Sequence, residues 1–405
     1  MKQRMIAIVL AICALAAITA CGTPLSRPKE AGTTYPYIFV HGLNGIGDDA
    51  GLPVSYWGST AGPLLPALEQ EGYLCFAPTV SAAGSAWDRA CELFAAITGT
   101  RVDYGAAHSE AHEHPRFGQT YGTALVPDWG TVDAKGNLRK INIIAHSFGG
   151  ATARLLSGLL QNGSEAEQYI SKKGQLELSP LFEGGKGDWI FSLTTLASPH
   201  NGVSLLSMVD INPGISWVAN LLGSNEWLDE ALHAAGVAMG GKSFGEILRA
   251  AKTQDTAYYD LTLEGAQAVT RLAPLHSETY YFSYPVDGTN NGKPTDDMSL
   301  PLRVLGSVIG NFTDEAAGID DTWRPNDGLV NTISATAPFG QPSKKVDDAS
   351  ALTPASLIPA SWHVMPTERG DHGSIIGMAR TKEETLQLYL DQMRRVDALS
   401  KAVTG

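Results

Sequence analysis

The stretch Ile141-Asn142-Ile143-Ile144-Ala145-His146-Ser147-Phe148-Gly149-Gly150 determines the fold class. Its first five residues form a short apolar run typical of a buried strand, and residues 151–160 favour a helix. Small residues at 145 and 149 allow a tight turn, which would lift the Ser147 hydroxyl above the end of the strand. The pattern therefore predicts a nucleophile elbow. The alternative is a glycine-rich turn in a sheet without catalytic function.

Strand-like and helix-like segments alternate on both sides of this stretch. Apolar runs at 37–40, 73–77 and 189–196 predict strands, and residues 62–72 and 87–98 have apolar positions at helical spacing. This alternation predicts an α/β protein with a mostly parallel central sheet and helices on both faces.

The composition is that of a large globular protein. The chain has 405 residues, of which 43% are apolar, so it can bury a sizeable core. The formal net charge is -13, which is opposite in sign to that of a nucleic-acid-binding protein, so we expect no nucleic-acid partner. The 43 glycines follow no fixed period, which excludes a collagen-like chain.

The N-terminal segment has the pattern of an export signal. Lys2 and Arg4 precede an apolar run that ends in small residues before Cys21. The pattern resembles a bacterial lipobox, which would make residues 1–20 a lipoprotein signal peptide and Cys21 the lipidated first residue of the mature chain. An ordinary signal peptide followed by a chance cysteine is the alternative. We therefore expect an exported protein, which is either anchored to the membrane of the cell envelope by its lipid or secreted.

The rest of the chain predicts one catalytic domain rather than the two or three that its length alone would allow. We expect a tether over residues 21–34 and the domain over residues 35–400, with insertions near 99–137 and 203–255. The second insertion contains amphipathic pieces and is the predicted lid. Residues 285–370 are rich in Pro, Gly, Asp and Asn, so we expect long loops there.

Two cysteines remain in the mature chain beyond Cys21. Cys75 and Cys91 lie in apolar surroundings, so we expect two buried thiols. A single disulfide between them is the alternative in an oxidising compartment.

A serine nucleophile needs a base, and the base needs a carboxylate that orients it. In chain order the acid and then the histidine should follow Ser147. His372 lies in a loop near the C-terminus and is the predicted base, with His363 as the alternative. Asp327, in the tight Asn-Asp-Gly turn, is the predicted acid. Two further aspartates of this loop, which we expect to cap it or to lie at the surface, are Asp320 and Asp321.

The segment His41-Gly42-Leu43-Asn44-Gly45 follows the predicted strand 37–40. In this fold class the loop after an early strand supplies one oxyanion-binding N–H group, and the residue after the nucleophile supplies the other. These would be the backbone N–H groups of Leu43 and Phe148. We expect the His41 imidazole to brace the loop.

Several longer motifs occur together with the serine motif, in which Ala145 stands where most such motifs have glycine. They are Val40-His41-Gly42-Leu43, Trp87-Asp88-Arg89-Ala90-Cys91-Glu92-Leu93, Val102-Asp103-Tyr104-Gly105-Ala106-Ala107-His108, Ala197-Ser198-Pro199-His200-Asn201-Gly202 and Asn326-Asp327-Gly328-Leu329-Val330-Asn331-Thr332. In this order they resemble the zinc-containing, thermoalkalophilic bacterial lipases over most of residues 36–395. The resemblance implies an α/β-hydrolase fold and serine hydrolysis of triglyceride-type or bulky esters, and some members of that family also hydrolyse polyesters.

The resemblance also implies a structural zinc site. By position, its ligands match Asp88, His108, His114 and Asp229. Two imidazoles and two carboxylates fill a tetrahedral shell and leave no open position. Zinc would clamp the insertion 99–137 to the body. A helical metal pair of His108 and His112, or a solvated His-rich loop, is the alternative.

Two departures from the family concern calcium and the lid. The family has a calcium site with a Glu at the position of Ser374 and an Asp-Pro soon after, where this chain has Gly377-Met378-Ala379. This argues against a calcium site. The segment between Gly202 and Asp229 is shorter than the family lid, which favours bulky esters. A non-catalytic lipid-binding lipoprotein on a hydrolase scaffold, an amidase and an acyltransferase remain alternatives on sequence alone.

Overall fold

The computed structural model describes residues 35–51, 54–207, 246 and 249–404. In this part of the chain the strands are β1 (Tyr37–Val40), β2 (Cys75–Phe76), β3 (Arg101–Asp103), β4 (Phe117–Thr120), β5 (Ile141–His146), β6 (Ile190–Leu196), β7 (Tyr280–Tyr284), β8 (Val286–Asp287), β9 (Thr289–Asn290), β10 (Lys293–Pro294), β11 (Ser343–Lys345), β12 (Trp362–Val364) and β13 (Glu368–Arg369). The α-helices of the same residues are α1 (Leu64–Gln70), α2 (Ala86–Thr98), α3 (Ala106–His112), α4 (Gly149–Asn162), α5 (Glu165–Gly174), α6 (Ser204–Ser207), α7 (Ala257–Asp260), α8 (Leu263–Leu272), α9 (Leu300–Gly310) and α10 (Lys382–Thr404).

Seven strands form the central sheet, in the order β11-β12-β7-β6-β5-β1-β2, and each neighbouring pair is parallel. The chain goes from β1 outward to β2 and then crosses to β5 on the other side of β1. At such a reversal of strand order a crevice opens at the carboxyl ends of the strands. Val40 pairs with Ala145, so the segments that follow β1 and β5 emerge side by side.

Helices cover both faces of the sheet because alternate strand residues point to opposite sides. Ile38 and Ile143 belong to a core with apolar side chains of α2 and α4. Phe39 and Ile144 belong to a second core, which includes leucines of α1 and the α10 residue Tyr389. The predicted α/β class, with a mostly parallel sheet covered on both faces, is confirmed.

The expectation of long loops from 285 to 370 is wrong in part. Helix α9 lies within this range, and so does β12, which is an internal strand of the sheet. Proline in the first turn of α9 does not oppose a helix, because the first N–H groups have no intrahelical acceptor. Leu305 and Ile309 of α9 are buried in a third apolar cluster with Trp323, so packing stabilises this helix.

Several predictions lie outside the described residues: the signal peptide, Cys21, the tether and most of the insertion 203–255. Cys75 and Cys91 are buried free thiols, so the alternative of a disulfide between them is wrong. Within the described ranges, the helices lack the combination of length and hydropathy that a membrane span requires.

Candidate active site

Ser147 follows β5 in a strained turn. Its φ is 57°, in the left-handed region that non-glycine residues rarely adopt, and its N–H donates to Leu196 O at 2.9 Å. A Cβ at Gly149 would lie 2.3 Å from Val40 O, so only glycine lets α4 begin this close to β1. The turn presents the serine side chain at the strand-order reversal, as a nucleophile elbow does.

Three predicted residues meet at this turn. Ser147 Oγ lies 2.8 Å from His372 Nε2, and His372 Nδ1 lies 2.7 Å from Asp327 Oδ2. Asp327 is 1% exposed, and its second oxygen accepts the N–H groups of Leu329 at 3.0 Å and Val330 at 2.7 Å. The backbone donors hold the carboxylate in place, and the carboxylate in turn orients the imidazole. The structure thus brings Ser147, His372 and Asp327 into one hydrogen-bonded array.

The alternative candidates lie elsewhere. His363 is on β12, and its ring nitrogens contact Tyr281 O at 3.1 Å and Ile358 N at 3.3 Å. Asp320 accepts the Thr322 N–H at 2.9 Å and caps a short 3-10 turn, while Asp321 pairs with Arg324 at 2.9 Å. None of these contacts connects them to Ser147.

Asp371, the residue before His372, holds the loop that carries this histidine in place. The Asp371 carboxylate accepts N–H groups from Ser299 at 3.0 Å, Gly373 at 3.2 Å and Ser374 at 3.1 Å. Ser374, at the position where the resembling family has a calcium ligand, donates its hydroxyl to Asp371 O at 2.7 Å. Asp371 therefore ties the histidine loop to the start of α9.

The loop after β1 lies against the serine. A Cβ at Gly42 would be 3.1 Å from Ser147 Oγ, so this loop passes within contact distance of the nucleophile. Neither the Leu43 nor the Phe148 N–H group donates a hydrogen bond to an acceptor in the described part of the chain. An oxyanion hole requires two such free amide donors in the segments next to the nucleophile.

His41 braces this loop as a neutral imidazole. Its Nε2 accepts the Val80 N–H at 3.1 Å, which leaves the proton on Nδ1 to donate to Gly42 O at 2.9 Å. Burial and the nearby Arg89 guanidinium lower the pKa of His41 to about 3. The side chain is therefore a fixed donor and acceptor across the neutral range.

A chain of hydrogen bonds connects the oxyanion loop to the histidine loop. The Gly42 N–H donates to Tyr56 Oη at 2.9 Å, and Tyr56 Oη lies 2.6 Å from His146 Nδ1. His146 Nε2 lies 3.0 Å from the backbone oxygen of His372. Burial lowers the pKa of His146 well below its ordinary value, so the ring is neutral, accepts from Tyr56 and donates to the His372 carbonyl.

A second cluster of polar side chains lies on α2, α3 and the segments that follow α3 and precede α7. Each of four residues offers one potential metal-ligand atom, an imidazole nitrogen or a carboxylate oxygen, and these four atoms lie within 4.8 Å of one another. The four residues are Asp88, His108, His114 and Asp255. His108 Nε2 is 3.1 Å from an Asp255 oxygen and 3.4 Å from an Asp88 oxygen. The ligand atoms around a tetrahedral metal ion with bonds of about 2 Å lie about 3.3 Å from one another, so these spacings fit a shared metal.

The unpaired atoms of this cluster also fit a metal. Asp88 Oδ1, His108 Nε2, His114 Nε2 and Asp255 Oδ1 are buried without a hydrogen-bond partner. Buried polar atoms without partners are costly, and here all four point to one place. His114 Nδ1 lies 3.0 Å from Pro115 O, which fixes its proton there and leaves the Nε2 lone pair for an ion.

The surroundings of the cluster hold the ligands in place. The Glu167 carboxylate accepts the N–H groups of Ala107 at 3.0 Å and His108 at 2.8 Å, which caps the N-terminus of α3. The Trp87 ring stacks on the His108 imidazole with a centroid distance of 4.8 Å. His112 lies beside His108 but contributes no donor to the group of four.

Asp255 was missed from the sequence. Asp229, the predicted fourth ligand, lies outside the described residues, and Asp255 completes the group of four in its place. Asp255 is therefore a further candidate ligand, and the role predicted for Asp229 stays a prediction. The signal available was an aspartate directly before the helix cap Thr256, at the end of the insertion. Nothing in the spacing shows that it meets Asp88, because the two are far apart in the chain.

Comparison with known proteins places this architecture in a family. The model of the family described as "Lipase-like, C-terminal domain" matches residues 33–223 and 230–401. The chain is 33% identical over 375 residues to Lipase 1 of Staphylococcus aureus, covering 86% of this chain and 52% of that protein. It is 34% identical over 394 residues to the lipase of Staphylococcus hyicus, covering 92% of this chain and 58% of that protein. The chain thus spans about half the length of these curated relatives.

Solved structures agree. The crystal structure of Staphylococcus hyicus lipase matches with a TM-score of 0.75 and 30% identity, covering 94% of this chain and 100% of that chain. Lipase 1 from Pelosinus fermentans matches with a TM-score of 0.71 and 33% identity, covering 90% of this chain and 99% of that chain. The resemblance to bacterial lipases inferred from the sequence motifs is confirmed, and the chain belongs to the Lipase-like, C-terminal domain family.

Proposed function

We propose that the chain is a serine carboxylester hydrolase of the lipase and esterase type. The observation that carries this proposal is the array of Ser147, His372 and Asp327 beside two free backbone N–H groups. Membership of a lipase-like family and relatives named as lipases support the same reaction class.

In the proposed reaction Ser147 Oγ attacks the ester carbonyl while His372 Nε2 takes the hydroxyl proton. The 2.8 Å separation allows direct transfer. Asp327 keeps the proton of the neutral ring on Nδ1 and stabilises the imidazolium that forms. His372 then protonates the leaving alcohol. Water, activated by the same imidazole, attacks the acyl-enzyme and releases the acid.

The developing oxyanion would be held by the Leu43 and Phe148 N–H groups. The first group belongs to the loop after β1 and the second to the start of α4, whose N-terminal dipole also favours negative charge. Fixed donors of this kind contribute about 3–4 kcal/mol each to transition-state stabilisation. Neutral His41 and the Tyr56–His146 contacts keep the loop in place without adding a competing charge.

We propose that Asp88, His108, His114 and Asp255 hold a structural zinc ion. Two imidazoles and two carboxylates suit zinc, and four protein ligands leave no position for substrate. When bound, the ion would supply cross-linking: it would join α2, α3, the segment after α3 and the segment before α7, which lie far apart in sequence. No catalytic step requires it.

Substrates of the proposed enzyme would be triglyceride-type or bulky esters, polyesters among them. This is supported by the length of the segment between Gly202 and Asp229, which is shorter than the lid segment of the lipases that the sequence resembles. A shorter lid segment favours esters that cannot enter a deep pocket. Hydrolysis rates on a polyester film, tributyrin and a long-chain triglyceride would test it. Strong interfacial activation on triglyceride with negligible release from the film would contradict it.

We further propose that the enzyme is exported and held at the cell envelope by a lipid on Cys21. The basic start, the apolar run and the small residues before Cys21 support this. Replacement of Cys21 by serine should release the protein from the membrane fraction, whereas an unchanged membrane fraction would contradict lipidation.

The central test of the reaction class is the variant Ser147→Ala. Removal of the hydroxyl should abolish turnover of p-nitrophenyl butyrate, and the thermal midpoint of unfolding should change little because the side chain is small. Turnover near the wild-type rate would overturn the nucleophile assignment. Absence of turnover in the wild type towards esters of any length would instead support the non-catalytic lipid-binding alternative.

A further inference from the structure

Arg89 is a buried cation that contacts the oxyanion loop. It lies on α2 and is fully buried. Its Nη2 donates to His41 O at 2.5 Å and its Nη1 to Gly42 O at 3.2 Å. No carboxylate lies within ion-pair distance of it in the described part of the chain. The Glu92 charge stabilises the guanidinium through space. A buried arginine without a salt bridge is still costly, so its two carbonyl contacts need a reason.

The Gly42 contact determines where the Leu43 N–H points. Gly42 O and the Leu43 N–H belong to one peptide unit, which is planar and trans, so the two groups point in opposite directions. Arg89 and His41 both donate to this oxygen, which turns it toward α2. The Leu43 N–H must then face away from α2.

The same guanidinium contacts the residue that carries the second donor. Arg89 Cζ lies 5.1 Å from the centroid of the Phe148 ring, which is itself fully buried. A cation over an aromatic face is attracted to it, and the attraction is stronger in a desolvated site. One side chain therefore contacts the loop before Leu43 and the side chain of Phe148.

We propose that Arg89 is a positioning residue that fixes the two oxyanion donors relative to each other; this inference rests on the proposed esterase function. Arg89 also polarises the Gly42–Leu43 amide, because a charged donor on a carbonyl strengthens the N–H of the same unit. The guanidinium stays cationic in proteins, so Arg89 keeps its charge across the neutral range.

The chain offers a matched control in Arg154. It too is a buried arginine, on α4, and its pKa is lowered by burial to about 9. Its contacts are with His200 O at 3.4 Å and Thr270 Oγ1 at 2.7 Å, and neither residue belongs to the oxyanion loop. Loss of either arginine should lower the thermal midpoint, but only loss of Arg89 should disturb the oxyanion donors.

The experiment compares Arg89→Gln, Arg89→Lys and Arg154→Gln in the full chain with its metal. Turnover of p-nitrophenyl butyrate gives kcat and KM, and inhibition by butylboronic acid reports binding of a tetrahedral adduct. For Arg89→Gln we expect kcat to fall and the boronic acid Ki to rise by about 10- to 100-fold, with KM changed less than about threefold. Arg89→Lys, which keeps the charge without the two-pronged geometry, should lie between it and the wild type.

Arg154→Gln should keep kcat and Ki near wild type even if it unfolds at a lower temperature. The inference is overturned if both Arg89 variants keep kcat and boronic acid Ki, or if Arg154→Gln changes them to the same degree. If Arg89→Gln does not fold, the intermediate values expected for Arg89→Lys decide alone. A wild type that neither hydrolyses the ester nor binds the boronic acid would overturn the proposed function, and this inference with it.

Discussion

At the scale of single residues, Asp327 has the most constrained carboxylate of the candidate site. One oxygen contacts His372 Nδ1 and the other accepts two backbone N–H groups. The carboxylate thus fixes which imidazole nitrogen carries the proton, and only a ring protonated on Nδ1 can accept a proton from Ser147 at Nε2.

This predicts the effect of Asp327→Asn. The amide keeps the size of the side chain but can donate to Nδ1, which would place the ring proton on Nε2 and block proton transfer from Ser147. We expect kcat for p-nitrophenyl butyrate to fall about 10³- to 10⁴-fold with little change in KM. A loss of less than about tenfold would show that another acid orients His372.

Ser147, Asp327 and His372 could be proposed together from the sequence because chain order and turn chemistry are local, and the structure places them side by side. Asn-Asp-Gly around Asp327 and the elbow at Ser147 are visible in a few adjacent letters. By contrast, the sequence does not show what Arg89 or Tyr56 contacts, since charged and polar side chains are usually exposed. Their roles come from burial, which only the fold reveals.

At the scale of elements, α2 connects the two clusters of the candidate site. Its first turn is capped by Ser85 and by the Asp260 carboxylate, which accepts the Ala86 N–H at 2.6 Å. Asp88 and Arg89 are adjacent on it, so one faces the candidate metal-ligand cluster and the next the oxyanion loop. The periodicity predicted the helix, while the partners of its polar residues depend on long-range packing.

The ligand set can be tested at this scale. Loss of a residue that only supports a metal ligand lowers metal affinity about 10- to 100-fold. Asp255→Asn should lower it further, because this change removes a ligand itself. Metal content after dialysis and the thermal midpoint would both fall, as they should for Asp88→Asn. Asp229→Asn is the control and should keep its metal. Metal loss in Asp229→Asn alone would restore the original ligand set.

Helix α10 provides a pH-dependent contact with the sheet. Asp397 Oδ1 lies 3.2 Å from the Tyr37 hydroxyl of β1, and burial raises the pKa of Asp397 from its ordinary value of 3.8 to about 6. A raised carboxyl pKa favours the folded protein below about pH 4, and this contribution is lost as the pH rises through 6.

Asp397→Asn should therefore stabilise the protein above pH 6 and have less effect near pH 4. At pH 8 we expect the free energy of unfolding to rise by about 1 kcal/mol. This is less than the full shift of the Asp397 pKa implies, because the carboxyl is partly solvated. Denaturant unfolding at both pH values measures it. Asp391→Asn, on the exposed side of the same helix, should show no such pH difference. An equal effect of Asp397→Asn at pH 4 and pH 8 would refute the raised pKa.

At the scale of the whole molecule, the site is a consequence of strand order. The loop after β1 and the elbow after β5 meet because these strands are parallel neighbours at the point where the order reverses. The alternation of segments predicted this sheet. The alternation did not predict α9, because the Pro, Gly, Asp and Asn content of residues 285–370 favours loops. The stability of α9 comes from the burial of Leu305 and Ile309 rather than from local signals.

The most direct test of the central claim is covalent labelling with a fluorophosphonate, followed by peptide mass mapping. An activated serine should take up one phosphonyl group per chain, and the adduct should map to the peptide that contains Ser147. Ser147→Ala, folded as judged by its thermal midpoint, should remain unlabelled. Absence of labelling in the folded wild type, or an adduct on another residue that persists in Ser147→Ala, would contradict the account.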